Sequence, residues 1–339
     1  MTAAPDSVKP LVEVDDLHVK FVSRESTVRA VNGVSFALMP GEVLGIIGES
    51  GSGKSVTMRA LIRLLPRRRA VISGRMRVGE HDIMALTERQ LTDIRGAKIA
   101  MIFQEPMTAL DPVYTIGDQI AETVMRHEGC SRRAALDRAL DLLKRVKVPS
   151  PERRLTAYPH ELSGGLRQRA MIAVALSCRP ALLLADEPTT ALDATVQIQV
   201  LILLRQLQKE FGTAMIFVTH DLGVAAQIAD NVAVMYAGRI VEYGSARDVL
   251  LRPRHPYTVG MLASTVHGRM RDADIEAIPG SPPDLRRLPP GCSFAPRCRH
   301  AVADCAAAVP QQVEVAPGHV AACIKAGSLA PANPQAALA

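Results

Sequence analysis

Gly48-Glu49-Ser50-Gly51-Ser52-Gly53-Lys54-Ser55 follows the apolar run Val43-Leu44-Gly45-Ile46-Ile47, and this order decides the fold. A buried strand, a glycine loop and a helix in succession are what a phosphate-binding loop requires. Small residues at Gly48, Ser50, Gly51 and Gly53 let the backbone curl until several N–H groups face one anion, with the positive end of the next helix behind them. Ser52, inside the curl, and Val56, opening the helix, complete the nucleotide-binding set. Lys54 can reach the outer phosphates as a mobile cation. The Ser55 hydroxyl can replace one water on a magnesium ion, which keeps most of its hydration and takes few protein oxygens. The stretch reads as a cradle for a nucleoside triphosphate.

Around it lie 339 residues, 48% of them hydrophobic, enough for one large core or two domains. No run approaches the roughly 18 apolar residues of a membrane span. Met1 to Pro10 has no apolar signal region, so the expectation is a chain that stays in the cytosol. The net charge of +6 is spread over Arg67-Arg68-Arg69, Arg132-Arg133, Arg153-Arg154 and Arg286-Arg287, as on a solvated surface. With 3% aromatics and no Trp, base-stacking platforms and a nucleic-acid partner are not expected. Six cysteines in a cytosolic chain argue against disulfides.

Along the chain, Leu11 to Val22 and Val31 to Leu38 read as opening strands, with Phe21 at the end of the first. Ser55 to Leu65 has helical spacing and stops at Pro66. Ser73 to Val78 and Ala97 to Phe103 read as strands, and Thr87-Glu88-Arg89-Gln90 is a capping box before a short helix. From about Glu105 to Arg179 the texture turns helical. In Ser131 to Val148, the residues Leu136, Ala139, Leu140, Leu143 and Val146 are expected to share one face. Ala181 to Ala185 and Ala214 to Val218 are apolar at every position, as strands covered on both faces are. Ala194 to Phe211 lies between them as a helix, so the sheet is expected to be mainly parallel with helices on both sides. Val232 to Tyr236 and Arg239 to Tyr243 flank Ala237-Gly238 as a hairpin.

Two further stretches can carry chemistry. Asp186-Glu187 ends an apolar strand, placing two carboxylates at the edge of a parallel sheet where ligands collect. Asp186 can hold magnesium through water, while Glu187 can orient or deprotonate the attacking water, the division of labour that phosphoryl transfer needs. Leu162-Ser163-Gly164-Gly165-Leu166-Arg167-Gln168-Arg169 offers a Ser at a helix start and two glycines with exposed N–H groups, a second anion site. One γ-phosphate does not need both helix ends from one chain. A head-to-tail pair with the nucleotide between the loop of one subunit and Ser163-Gly164-Gly165 of the other is the natural solution.

At this point the chain resembles the ATP-binding subunit of ABC transporters, from about Leu11 to Leu250. The matching residues are Gly48 to Ser55, Gln104 after Phe103, Leu162 to Gln168, Asp186-Glu187, Ala191-Leu192-Asp193 and His220 after Met215 to Thr219. The resemblance implies an α/β, P-loop NTPase fold of the ABC ATPase type: a mainly parallel sheet, an N-terminal antiparallel β subdomain and a helical subdomain bearing the Ser-Gly-Gly stretch. It also implies that Phe21 stacks on adenine, that Gln104 senses magnesium and the attacking water, that Asp193 works across the dimer, and that His220 contacts the γ-phosphate. With Lys54 and Glu187, Gln104 and His220 form the catalytic set; Ser55, Gln104 and Asp186 form the magnesium set. Leu166 departs from the Gln that many members carry, but the Gly164 and Gly165 N–H groups survive that change.

Beyond residue 250 the chain is rich in Pro and Gly. Cys292, Cys298, Cys305 and Cys323 are thiols in numbers that suit zinc, an iron–sulfur cluster, or no metal at all. Cys130 and Cys178, within helical patterns, read as packed or surface thiols. His255-Pro256-Tyr257-Thr258 and Ile278 to Pro283 with this tail resemble the C-terminal extension of oligopeptide and dipeptide importer ATPases, some of which bind a [4Fe-4S] cluster at such cysteines. The expected organisation is an ATPase domain over residues 11–250, with a helical insertion at about 105–179. A cysteine-bearing extension over 251–326 and a frayed tail over 327–339 follow.

The resemblance implies ATP hydrolysis with ATP and Mg2+, on the cytoplasmic face of the membrane. The implied partners are a second ATPase (a sister chain or itself), two permeases and an extracytoplasmic solute-binding protein. Two other readings use parts of the same sequence. One is a regulatory or nucleic-acid-linked ATPase of the superfamily, which would tend to carry two cassettes or a coiled-coil insertion. The other is an iron–sulfur sensor using the fold as a scaffold, against which the complete hydrolytic motifs weigh.

Overall fold

The strands with the fewest polar positions are buried throughout: Val43–Ile47, Leu182–Asp186 and Ala214–Thr219 have no exposed residue. Each fully buried Leu, Ile or Val there contributes about 1.5–3 kcal/mol of apolar transfer, which is why such runs lie inside a core. The computed structural model describes residues 9–190, 192–264 and 277–327. It divides into two compact units, one built on Ala37–Glu42 and Arg77–Phe217, the other on Glu13–Phe36, Val43–Met76 and the chain from Val218 onward.

In the first unit, Ile99–Ile102 and Leu182–Asp186 pair in parallel, Ile99 beside Leu182 and Ile102 beside Ala185. The short helix Glu88–Ile94 is opened by the expected capping box, with Thr87 and Gln90 exchanging bonds. The helical stretch is built on Ile116–Glu128, Arg132–Arg145 and Gly164–Leu176; a short turn joins the first two, and the short helices Pro151–Leu155 and Pro159–Glu161 lie between the last two. Thr115 and Ser131 accept bonds from Asp118 N–H and Ala134 N–H, capping their helices. The buried face of Arg132–Arg145 is rotated from the sequence expectation. Ala135, Ala139, Leu142 and Leu143 are buried, with Val146 just beyond, whereas Leu136 and Leu140 are half-buried. Ala121, Val124 and Ala135 form the seam with the preceding helix, and small residues there set how close the two helices come.

In the second unit, Val43–Ile47 runs parallel to Asn231–Tyr236, which turns at Ala237-Gly238 into the antiparallel Arg239–Ser245. This is the hairpin read from the sequence. Two short strands, Val313–Ala316 and His319–Ala321, extend the sheet, Glu242 pairing with Ala321 and Tyr243 with Val320. Val12–Val22, Thr27–Leu38 and Ala70–Val78 make a separate antiparallel layer in the order Thr27–Leu38, Val12–Val22, Ala70–Val78. The helix after the glycine loop spans only Lys54–Leu61, shorter than the sequence suggested. Arg63 takes a left-handed conformation and breaks it before Pro66 is reached.

The extension packs into this unit. Tyr236, Tyr257 and Phe294 meet at 4.6–5.4 Å between ring centroids, with Val234, Val249 and Leu250 around them. Glu242, with no exposed surface, accepts from the N–H groups of Arg254 (2.6 Å) and His255 (3.0 Å) and lies 2.8 Å from Nε2 of the buried His319. His255 is buried as well, and burial holds its imidazole neutral with a pKa lowered to about 3.

Candidate functional site

All three phosphate-loop glycines, Gly48, Gly51 and Gly53, have positive φ, as the curl requires. At Gly48, φ 151°, a Cβ would stand 2.2 Å from the Met235 carbonyl oxygen, so no other residue fits there. Lys54 is 5% exposed, and its ammonium donates to the carbonyls of Gly48 (2.7 Å) and Glu49 (2.9 Å), lying folded along the loop. The Ser52 hydroxyl is buried and has no hydrogen-bond partner among the described residues. A buried donor left so costs about 1–3 kcal/mol, and an incoming phosphate oxygen satisfies it. The loop therefore fits a triphosphate. Val56 lies in the first turn of the helix that follows. In the same unit His220 stands exposed past the strand Ala214–Thr219, and Phe21 is half-buried near the end of Val12–Val22.

In the other unit, Asp186 ends its strand completely buried, and Glu187 follows with φ 45°. A left-handed backbone at a residue with a side chain costs roughly 1–2 kcal/mol, and such strain collects where a side chain must be aimed. Glu187 Oε2 accepts from Thr190 Oγ1 at 2.9 Å and from Gln104 Nε2 at 3.4 Å. The structure thus brings Gln104 and Glu187 together as their motifs suggested, and adds Thr190, which the sequence reading missed. Its signal was its place three residues past Glu187, within one turn's reach.

Ser163 opens the helix Gly164–Leu176 in extended conformation, and its hydroxyl makes no capping bond. Ser163 and Gly164 are exposed, and a Cβ on Gly164 would meet nothing within 4 Å. Gly165 differs: a Cβ there would stand 2.9 Å from Val196 Cγ1, so its bareness is also demanded by packing. Open N–H groups with an unengaged hydroxyl at the start of a 13-residue helix can take an anion. Asp193 caps the helix Ala194–Phe211, Oδ1 accepting from Val196 N–H at 2.9 Å. Ala191 lies outside the described residues.

Cys292, Cys298, Cys305 and Cys323 line one small cavity in the extension. Burial raises the thiol pKa of Cys292, Cys298 and Cys323. Among the described residues no group of three His, Cys, Asp or Glu stands in ligating geometry. Cys130 and Cys178 are half-buried, and the Cys178 thiol lies 3.7 Å from the Thr123 carbonyl, as packed thiols do.

Comparison with known proteins matches residues 31–190 to the ABC transporter family model and residues 241–305 to the oligopeptide/dipeptide transporter C-terminal region. The oligopeptide transport ATP-binding protein OppD of Salmonella typhimurium is 50% identical, covering 96% of each chain. The dipeptide transport ATP-binding protein DppD of Bacillus subtilis is 46% identical, over 93% of this chain and 95% of its own. Among solved structures, the dimeric post-hydrolysis ATP-binding cassette MJ0796 bound to ADP and Pi superposes with a TM-score of 0.63 at 29% identity. It covers 70% of this chain and 99% of that one.

Proposed function

Because the chain belongs to the ATP-binding subunits of ABC transporters of the oligopeptide and dipeptide importing type, we propose how its residues divide the work of a peptide-importer ATPase. Lys54 and the N–H groups of Gly48 to Ser55 hold the phosphates, Ser52 donating its buried hydroxyl. Ser55, Asp186 and Gln104 are the residues that would hold magnesium, which supplies neutralisation of phosphate charge when bound. Glu187 takes the proton of the attacking water, and Gln104 and Thr190 keep its carboxylate aimed. Phe21 stacks on adenine and His220 meets the γ-phosphate. The observation that carries the hydrolytic assignment is the strained, doubly hydrogen-bonded Glu187.

Ser163, Gly164 and Gly165 complete the site of a facing ATPase subunit, and Asp193 works across the same dimer. The exposed, unencumbered helix start supports this. ATP closes the dimer and hydrolysis opens it, differential affinity moving two permeases that receive peptide from a solute-binding protein. No described helix is long and apolar enough to cross a membrane, so the place proposed for the subunit is peripheral, on the cytoplasmic face. Gly164→Asp tests the pairing. A carboxylate at the first turn favours the helix dipole and meets no neighbour, so the fold holds. It repels phosphate, so hydrolysis falls on the order of tenfold or more and ATP no longer drives dimer formation by light scattering. Normal ATP-dependent dimers in that variant, with or without a sister ATPase, would exclude the arrangement.

We propose further that Cys292, Cys298, Cys305 and Cys323, soft donors lining one cavity, hold a [4Fe-4S] cluster once loading draws them into a ligating geometry they do not have here. Anaerobically purified protein is expected to carry iron and acid-labile sulfide, with a broad band near ~400 nm that is lost in Cys298→Ser. Protein free of iron and sulfide removes the assignment.

A further inference from the structure

Glu49 is an acid placed inside a loop built for polyphosphate. Its carboxylate is gripped by Arg297 of the extension, Nη1 donating to Oε2 at 2.8 Å and Nη2 to Oε1 at 3.1 Å, the bidentate fork that suits guanidinium and carboxylate. Arg297 is itself fixed: its side chain is 7% exposed, Nε donates to the Pro279 carbonyl at 2.9 Å, and Nη1 lies 3.3 Å from the Tyr236 hydroxyl. Its guanidinium also sits over the Tyr236 ring, 5.8 Å from the centroid. A second tie comes from Tyr257, fully buried, whose hydroxyl accepts from the Glu49 N–H at 2.8 Å. Burial opposes the guanidinium charge, but the bonds to Glu49 and Tyr236 outweigh it and hold the Arg297 pKa above the usual arginine value. Burial likewise keeps the Tyr257 hydroxyl protonated.

A carboxylate without its counter-charge beside a bound triphosphate repels it, and more strongly where water is displaced. We propose that Arg297 is a positioning residue of the ATPase reaction, which neutralises Glu49 and pins the second residue of the phosphate loop, so that the C-terminal extension sets the affinity for ATP. This rests on Gly48 to Ser55 being the ATP loop. A chain with neither ATP binding nor hydrolysis would sink that reading, whereas the ratios below concern Arg297 alone. The chemistry required is one fixed positive charge at the back of the loop.

The test uses the full chain, MgATP kinetics and equilibrium nucleotide binding, with thermal unfolding in parallel. Arg297→Met keeps length and apolar cover over Tyr236 but removes the charge. Its KM for MgATP is expected to rise on the order of tenfold while kcat stays within about twofold, because uniform binding is what has been lost. Adding Glu49→Gln removes the stranded carboxylate, and the double variant is expected to return to within about threefold of the wild-type KM, a non-additivity that mere packing would not produce. Arg297→Lys, with charge but no fork, falls between. A wild-type KM in Arg297→Met overturns the proposal, and so does a double variant whose KM is no lower than that of Arg297→Met. Should Arg297→Met fail to fold, the same comparison is made between Arg297→Gln, which also lacks the charge, and its Glu49→Gln double, and an unchanged KM in Arg297→Gln overturns it.

Discussion

Glu187→Gln is expected to bind ATP as tightly as the wild-type chain and to hydrolyse it roughly 10²-fold or more slowly, the scale on which a positioned base contributes. The substitution is close to isosteric. Its amide can still accept from Thr190 Oγ1, now 2.9 Å from Oε2, so the backbone strain at Glu187 and the position of the side chain are retained. What disappears is the ability to take a proton. Single-turnover hydrolysis against equilibrium binding separates the two, and turnover near the wild-type rate would show that water is activated by another group. With binding expected to survive, the same variant is expected to accumulate the proposed ATP-bound dimer, which makes it the background in which to examine Gly164→Asp.

Glu242→Leu is expected to remove about 3–5 kcal/mol of folding stability, because three hydrogen-bond partners lose their acceptor at once. Leucine can fill much of the space but accepts no hydrogen bonds. It strands the buried His255 N–H and His319 ring and takes the acceptor from the half-buried Arg254 N–H. Urea unfolding followed by circular dichroism should show a lower midpoint with an unchanged slope. A loss below about 1 kcal/mol would mean that this hub is not what joins the extension to the sheet. Glu242→Gln retains two acceptor lone pairs and should lose less.

The residues proposed for nucleotide chemistry stand out in the chain because each group sits in a short contiguous stretch. Loop, Ser-Gly-Gly and Asp-Glu each follow or precede a strongly apolar or periodic run whose burial the structure bears out, as at Val43–Ile47 and Leu182–Asp186. The misjudged details are those that neighbours decide. The face of Arg132–Arg145 depends on which side the helix Ile116–Glu128 approaches from, and Leu and Ala alternate too closely for periodicity to choose. The early end of Lys54–Leu61 comes from a left-handed Arg63, which no propensity announces. Val313–Ala316 and His319–Ala321 span four and three residues and exist because a partner strand was already there. Arg297 was invisible for a simpler reason: Glu49 is 248 positions away along the chain.

Those last two strands have a consequence for how the protein is made. Arg239–Ser245 pairs on one side with Asn231–Tyr236, and on the other Glu242 and Tyr243 pair with Ala321 and Val320. A ribosome delivers the first side at once and the second only some eighty residues later, so a nascent chain presents an open row of amide and carbonyl groups, a template for other chains. The hairpin closes that row with a short, solvent-facing outer strand bearing Glu314, a poor surface on which to stack another copy. Premature termination before residue 319 would thus be felt first as clumping of an otherwise complete cassette.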